Sequence, residues 1–161
     1  MTATVSGKYY EELVPGQVYH HAITRTVTET DNLLFSALTY NAQPLHLDDE
    51  FCKTTPYGKR LVNSIFTLGL VVGVGVGDLT LGTTLGNLGF GEITFPKPVF
   101  IGDTLRAETE ITDRRESRKN PNTGIVHFET RGFNQRDEMV VKVARVGLMM
   151  KRPAAPRDAT T

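Results

Sequence analysis

The sequence predicts an α+β domain in which an antiparallel sheet wraps around one buried helix, and two stretches carry that prediction. From Ile65 to Gly77 the residues are apolar on every side of a helical wheel, as a helix must be when it lies inside a core. Further along, the period changes to two. In Thr104 to Thr112, Leu105, Ala107, Thr109 and Ile111 alternate with Arg106, Glu108, Glu110 and Thr112, the pattern of a half-buried strand. A length of 161 residues with no polar, Pro- and Ser-rich linker makes this a single domain, residues 1–161.

The elements follow in order. A first strand is expected within Gln17 to Val27, after a Pro15-Gly16 turn, with Val18, Ile23 and Val27 as its apolar residues. Thr28-Glu29-Thr30-Asp31 has the form of a capping box, so a helix starts there, with Leu33, Leu34, Ala37 and Leu38 as its apolar stripe. The Asn41 to Pro44 region ends it, because the residue before a proline disfavours helical geometry. Leu45 to Asp49 reads as a short loop, and Asp49 to Thr54 as a short helix before the Pro56-Tyr57-Gly58 turn. Within the apolar helix, Gly69, Gly73 and Gly77 form one stripe; glycine costs about 1 kcal/mol per residue there, which predicts close approach by another backbone. Strands are expected over Gly86 to Phe95, Thr104 to Thr112, Ile125 to Asn134 and Met139 to Met150, with turns at Asn120 to Gly124 and Asn134 to Asp137. From about Pro153 the chain reads as a disordered tail. One sheet around one helix leaves an edge and an outer face to manage, so a homodimer, or a higher homo-oligomer of dimers, is expected.

Eighteen basic and eighteen acidic residues cancel, which removes any global field toward nucleic acid or an anionic membrane. The longest apolar run is too short to span a bilayer, which takes about 20 residues. Cys52 has no partner for a disulfide or a structural zinc site and reads as a buried, inert thiol. The first residues, MTATVSGKYYEEL, lack the basic and apolar regions of a secretory signal, so a cytoplasmic location is expected.

His46 stands between Pro44-Leu45 and Leu47-Asp48, and an imidazole that exchanges a proton near neutral pH is a candidate general acid/base. Its segment, Asn41-Ala42-Gln43-Pro44-Leu45-His46-Leu47-Asp48, resembles the D-x-N-P-L-H-x-D signature of the MaoC-like hydratases. Tyr57-Gly58-Lys59-Arg60-Leu61-Val62-Asn63-Ser64 resembles that family's run into the central helix, which usually has His-Gly where Asn63-Ser64 stand here. Phe95-Pro96-Lys97-Pro98-Val99 with Gly102-Asp103-Thr104-Leu105 resembles its F-x-K-P-V-x-x-G-D-T-L junction, and Asn134-Gln135 before the last strand also fits. The likeness runs from about Leu13 to Met150. YNAQPLHLD and LVNSIFTLGL resemble the subgroup of mesaconyl-CoA and related C5-dicarboxyl-CoA hydratases.

The resemblance implies a hotdog fold and a lyase that adds water to, or removes it from, a 2-enoyl-CoA, typically giving the R-hydroxyacyl thioester. Coenzyme A is then part of the substrate, and no metal or redox cofactor takes part. It implies that His46 moves the proton. The backbone amide of Ser64, at the start of the central helix, would hold the thioester oxygen, where unpaired amides and the helix dipole favour negative charge. Where the family has its catalytic aspartate this chain has Asn41, which cannot exchange a proton. Three readings stay open: His46 acts alone while Asn41 places the water; Asp31 or Asp48 supplies the carboxylate, although Asp31 fits better as the capping partner of Thr28; or the protein binds an acyl thioester without catalysis. Asn63 and Arg60 are candidate substrate-binding residues. Arginine grips a carboxylate through two parallel hydrogen bonds, but a solvated surface arginine is an equally good reading of Arg60. Arg114, Arg115, Arg118 and Lys119 either meet CoA phosphates or form a solvated hairpin, the second being favoured. A hotdog thioesterase would use an acid on or near the central helix, and none occurs inside it before Asp78. Gly73-Val74-Gly75-Val76-Gly77 lacks dinucleotide-loop spacing; Ser64 lacks the glycines of a nucleophile elbow and reads as a helix cap.

Overall fold

In the computed structural model residues 6–153 are described, and the tail expected from about Pro153 lies largely outside them. Strand β1 (Val18–His20) and strand β2 (Arg25–Thr26) precede helix α1 (Glu29–Leu38), two short helices α2 (Pro44–Leu47) and α3 (Asp49–Lys53), and helix α4 (Ser64–Val74), which runs on into a π turn at Val76–Thr80. Four long antiparallel strands follow: β3 (Thr84–Thr94), β4 (Thr104–Glu116), β5 (Thr123–Phe133) and β6 (Met139–Met150). The sheet order is β1-β4-β5-β6-β3, with β2 also on β4. The single first strand expected over Gln17 to Val27 is thus two short ones.

Alternation decides which face of the sheet is core. On β5, Val126, Phe128 and Thr130 are buried and point inward, while Glu129 and Arg131 point out. Outside, Arg131 bridges Glu108 at 2.8 Å, Glu110 at 3.1 Å and Glu129 at 2.8 Å across β4 and β5. Inside, α4 lies on the sheet and joins Val62, Leu68, Val71 and Val74 to Leu105, Ala107, Val141 and Val143 in one cluster.

The close approach that the helix glycines predicted is made from the other side. A Cβ on Gly132 of β5 would lie 2.5 Å from Val71 Cγ2, so it is the sheet that gives way where α4 crosses. Gly69, Gly73 and Gly77 have nothing within 4 Å of an added Cβ. Their face of α4 is open, and Ile65 on it is 57% exposed, so a helix apolar all round is buried here on only one side. The sheet covers that side, and among the described residues nothing covers the glycine face.

Helix α1 also turns the opposite way from its expected stripe. Its buried residues are Asn32 and Ser36, whereas Leu33, Leu34 and Leu38 face solvent. Polar residues at i and i+4 go inward because the backbone they meet there needs hydrogen bonds.

Candidate functional site

The capping box forms as expected: Thr28 Oγ1 accepts the Asp31 N–H at 3.2 Å, and Asp31 Oδ2 accepts the Thr28 N–H at 2.8 Å. Asp31 also receives both Arg25 terminal nitrogens, at 3.1 and 3.0 Å, and these hold its carboxyl down to about 2. Asp48, the other candidate carboxylate, caps α3 by accepting the Phe51 N–H at 2.9 Å. Both acids are therefore engaged in helix starts.

Helix α1 ends before the proline. Tyr40, exposed and at φ 55°, takes the left-handed cap position, and the Asn41 N–H reaches back to Ser36 O at 2.9 Å. Asn41 Oδ1 accepts the Gln43 N–H at 3.1 Å, so its Nδ2 is the part of the side chain left to donate to a water. Pro44 then sits in the first turn of α2, where no amide is required. The segment read as a loop at His46 is this helical turn, and it is stapled to the chain before α4 by Leu61 N–H to Leu45 O at 2.9 Å.

His46 is buried, with Nδ1 3.0 Å from Leu61 O. A carbonyl only accepts, so Nδ1 carries a proton, and in the neutral ring Nε2 is the nitrogen with the lone pair. Asn63, not Ser64, is the N-cap of α4: its Oδ1 accepts the Ile65 N–H at 3.0 Å and its Nδ2 lies 3.4 Å from Ser36 Oγ. The side chain expected to bind substrate is thus spent on the helix start. Ser64 becomes the first helical residue, whose N–H has no intrahelical acceptor. Two hollows flank this turn. One, about 230 Å³, is lined by Phe35, Thr39, Asn41, Asn63 and Ile65, and the other, about 220 Å³, includes Tyr57, Leu61, Ser64, Phe95 and Val140. Asn41 and Ser64 thus flank one helix start, and His46 lines neither hollow but is tied to it through Leu61.

A residue that the sequence reading passed over ties the His46 turn to the start of α4. Asn32 is fully buried; its Nδ2 donates to His46 O at 2.9 Å and to Leu61 O at 3.3 Å, and its Oδ1 accepts the Asn63 N–H at 2.8 Å. The available signal was the polar pair Asn32 and Ser36 at helical spacing inside an otherwise apolar run.

Other candidates lie elsewhere. Arg60 is clasped by Glu29 and Asp49, each at 2.7 Å, so its guanidinium is neutralised within the chain. Arg114 is withdrawn onto the carbonyls of Tyr10, Glu11 and Leu13, while Arg115, Arg118 and Lys119 rim a separate hollow floored by Leu88, Ile125 and Leu148. Cys52 is buried, and burial pushes its thiol up. Among the described residues no group of three or more His, Cys, Asp or Glu is placed to hold a metal ion, and no helix is long and apolar enough to cross a membrane.

Histidine turn, proline, capped apolar helix and wrapped sheet coincide with a known arrangement: residues 11–132 match the family described as MaoC like domain. The chain belongs to the MaoC-like family. Its fold is the hotdog: a Mycobacterium tuberculosis protein described as a double hotdog fold superposes with a TM-score of 0.82 at 21% identity, over 96% of this chain and 48% of that one. A putative MaoC domain dehydratase from Chloroflexus aurantiacus superposes with a TM-score of 0.87 at 29% identity, over 100% of this MaoC-like chain and 46% of its own. The mesaconyl-CoA hydratase of Cereibacter sphaeroides is 36% identical over 98% of this chain and 46% of its own length. The MaoC-like chain therefore spans about half the length of the curated relatives it matches first.

Proposed function

We propose that this MaoC-like chain is an enoyl-CoA hydratase, adding water to or removing it from a branched or dicarboxylic C5 acyl thioester such as mesaconyl- or itaconyl-CoA. One observation carries the proposal: His46, its Nδ1–H tied to Leu61 O at 3.0 Å, is anchored to the segment that leads into an apolar helix whose first residue, Ser64, has an N–H without an intrahelical acceptor. Water approaches the β-carbon of the conjugated thioester with Asn41 Nδ2 donating to its oxygen. His46 Nε2 takes a proton as the C–O bond forms, and the electron pair of the double bond moves to the thioester oxygen, where the Ser64 N–H and the helix dipole oppose the developing charge. His46 then returns that proton to the α-carbon. One base serving both steps delivers H and OH to the same face. Asn41 needs no proton of its own in this scheme.

The substrate class draws on the likeness to the mesaconyl-CoA hydratase. Coenzyme A enters with the substrate, and neither metal nor redox cofactor is required. A homodimer belongs to the proposal. It is supported by the open face of α4, by Leu85, Leu88 and Phe90 exposed on the edge strand β3, and by relatives of about twice this length. A cytoplasmic setting is supported by the lone, buried, unpaired thiol.

The test follows conjugated-thioester absorbance together with free thiol, using crotonyl-, mesaconyl- and itaconyl-CoA. Loss of absorbance without thiol is the expected result. Thiol release would make the chain a thioesterase, and binding with neither change would make it an acyl-CoA-binding protein.

A further inference from the structure

Helix α1 presents a polar residue where an amphipathic helix would present a leucine, and that residue touches both halves of the proposed machinery. Asn32 Nδ2 donates to the carbonyl of His46 at 2.9 Å and, at 3.3 Å, to the Leu61 carbonyl that also receives the His46 Nδ1 proton. Its Oδ1 takes the Asn63 N–H at 2.8 Å, and Asn63 is the cap on which the Ser64 amide depends for its direction. A primary amide offers two donors and an acceptor on one rigid plane; of side chains this size, only asparagine satisfies two carbonyls and one N–H together. Aspartate would set a carboxylate against two carbonyls, and leucine would take away the Asn32 partner of the His46 carbonyl and of the Asn63 N–H, leaving the Leu61 carbonyl to His46 Nδ1 alone.

We propose that Asn32 is a positioning residue for the hydration, the clamp that fixes the proton-carrying Nε2 of His46 relative to the oxyanion-holding amide of Ser64. The inference rests on the hydratase reading. The two groups come from different segments, joined by this amide, by the Leu45–Leu61 hydrogen bond and by the His46 Nδ1 bond to Leu61 O. Their separation must match the distance between water and thioester oxygen in the transition state, and misplacement by about 1 Å costs roughly 100-fold in rate. Asn32 is buried behind the site with its amide fully spent on backbone, so it makes no contact with substrate.

The experiment compares the full chain with its Asn32→Ser and Asn32→Asp variants. Expected are a fall in kcat for mesaconyl-CoA hydration of roughly 100-fold with KM within about threefold, and a change in the His46 tautomer read from long-range ¹H–¹⁵N spectra, which in the parent protein place the proton on Nδ1. A merely structural asparagine would lower Tm while the folded fraction kept the parent kcat and tautomer; that outcome overturns the proposal, as does a parent protein with its proton on Nε2. If neither variant folds, couplings across the hydrogen bonds from Asn32 Nδ2–H to the His46 and Leu61 carbonyls in the parent decide the matter, and their absence overturns it. Should the parent hydrate none of the three thioesters, the hydratase reading fails, while tautomer and couplings still judge the clamp.

Discussion

At the scale of single residues the proposal concentrates on His46 and Asn41. His46→Ala should cost roughly 10²- to 10⁴-fold in turnover, read by loss of the conjugated-thioester band, because His46 is the proton carrier tied to the segment that enters α4. Asn41→Asp should keep or raise activity, since a carboxylate beside the water adds a second base; a collapse in kcat would show that the Asn41 Nδ2 donor is indispensable. Asp31 makes a pH prediction. Its folded value of about 2 lies below the usual 3.8, chiefly through its hydrogen bonds to Arg25 and further through Thr28. A lowered folded value stabilises the protein above the unfolded one and is lost as pH falls through the folded one. Asp31→Asn should therefore lower Tm at pH 6, the gap closing between about pH 4 and 2 in melts across that range. His46 and the Thr28–Asp31 box were legible because a motif and a local hydrogen-bonding pattern need only near neighbours. The partners of Arg60 and Asn63, Glu29 with Asp49 and Ile65 with Ser36, were not legible because they come together only in the fold.

At the scale of elements, the boundaries depend on cap geometry. Helix α1 starts at its box, but it ends at Tyr40, whose left-handed φ of 55° no residue-type rule would assign to a tyrosine. Tyr40→Gly should stabilise the fold by about 1 kcal/mol by relieving that conformation, measured by urea unfolding. At the crossing of α4 and β5 the reverse holds. Gly132→Ala brings a Cβ within 2.5 Å of Val71 and 2.9 Å of Val141, and should cost about 1–3 kcal/mol in the same measurement. Strand β6 matched its reading from Met139 to Met150, because one face packs on α4 and the other meets solvent.

At the scale of the whole molecule, apolar surface is left without cover. Ile65 on α4 is 57% exposed and Phe90 on the edge strand β3 is 47% exposed, which is the surface a second copy would bury. Ile65→Asp should halve the mass seen by sedimentation, and an unchanged mass would remove that face from the dimer. Arg145 is a further unsatisfied feature. It points inward from β6 at 9% exposure, stacks on Phe128 at 4.6 Å and has no acceptor on Nε, and burial pushes its guanidinium value down. Among the described residues no carboxylate pairs with it. Arg145→Met should raise Tm by a few degrees, because it removes a desolvated charge and keeps the packing volume.

The sequence by itself determined the antiparallel strands, the apolar central helix, the capped start of α1, the Pro-Leu-His motif and the family. Each of these is written in a local period or a contiguous motif, so neighbouring residues suffice. Only the tertiary structure decided that α1 buries Asn32 and Ser36 rather than its leucines, that Gly132 rather than the helix glycines admits the close approach, and that Asn63 caps α4. These outcomes turn on which backbone groups need partners at a given depth. That demand is set by segments distant in sequence, and it outweighs the preference of any one helix for turning its leucines inward.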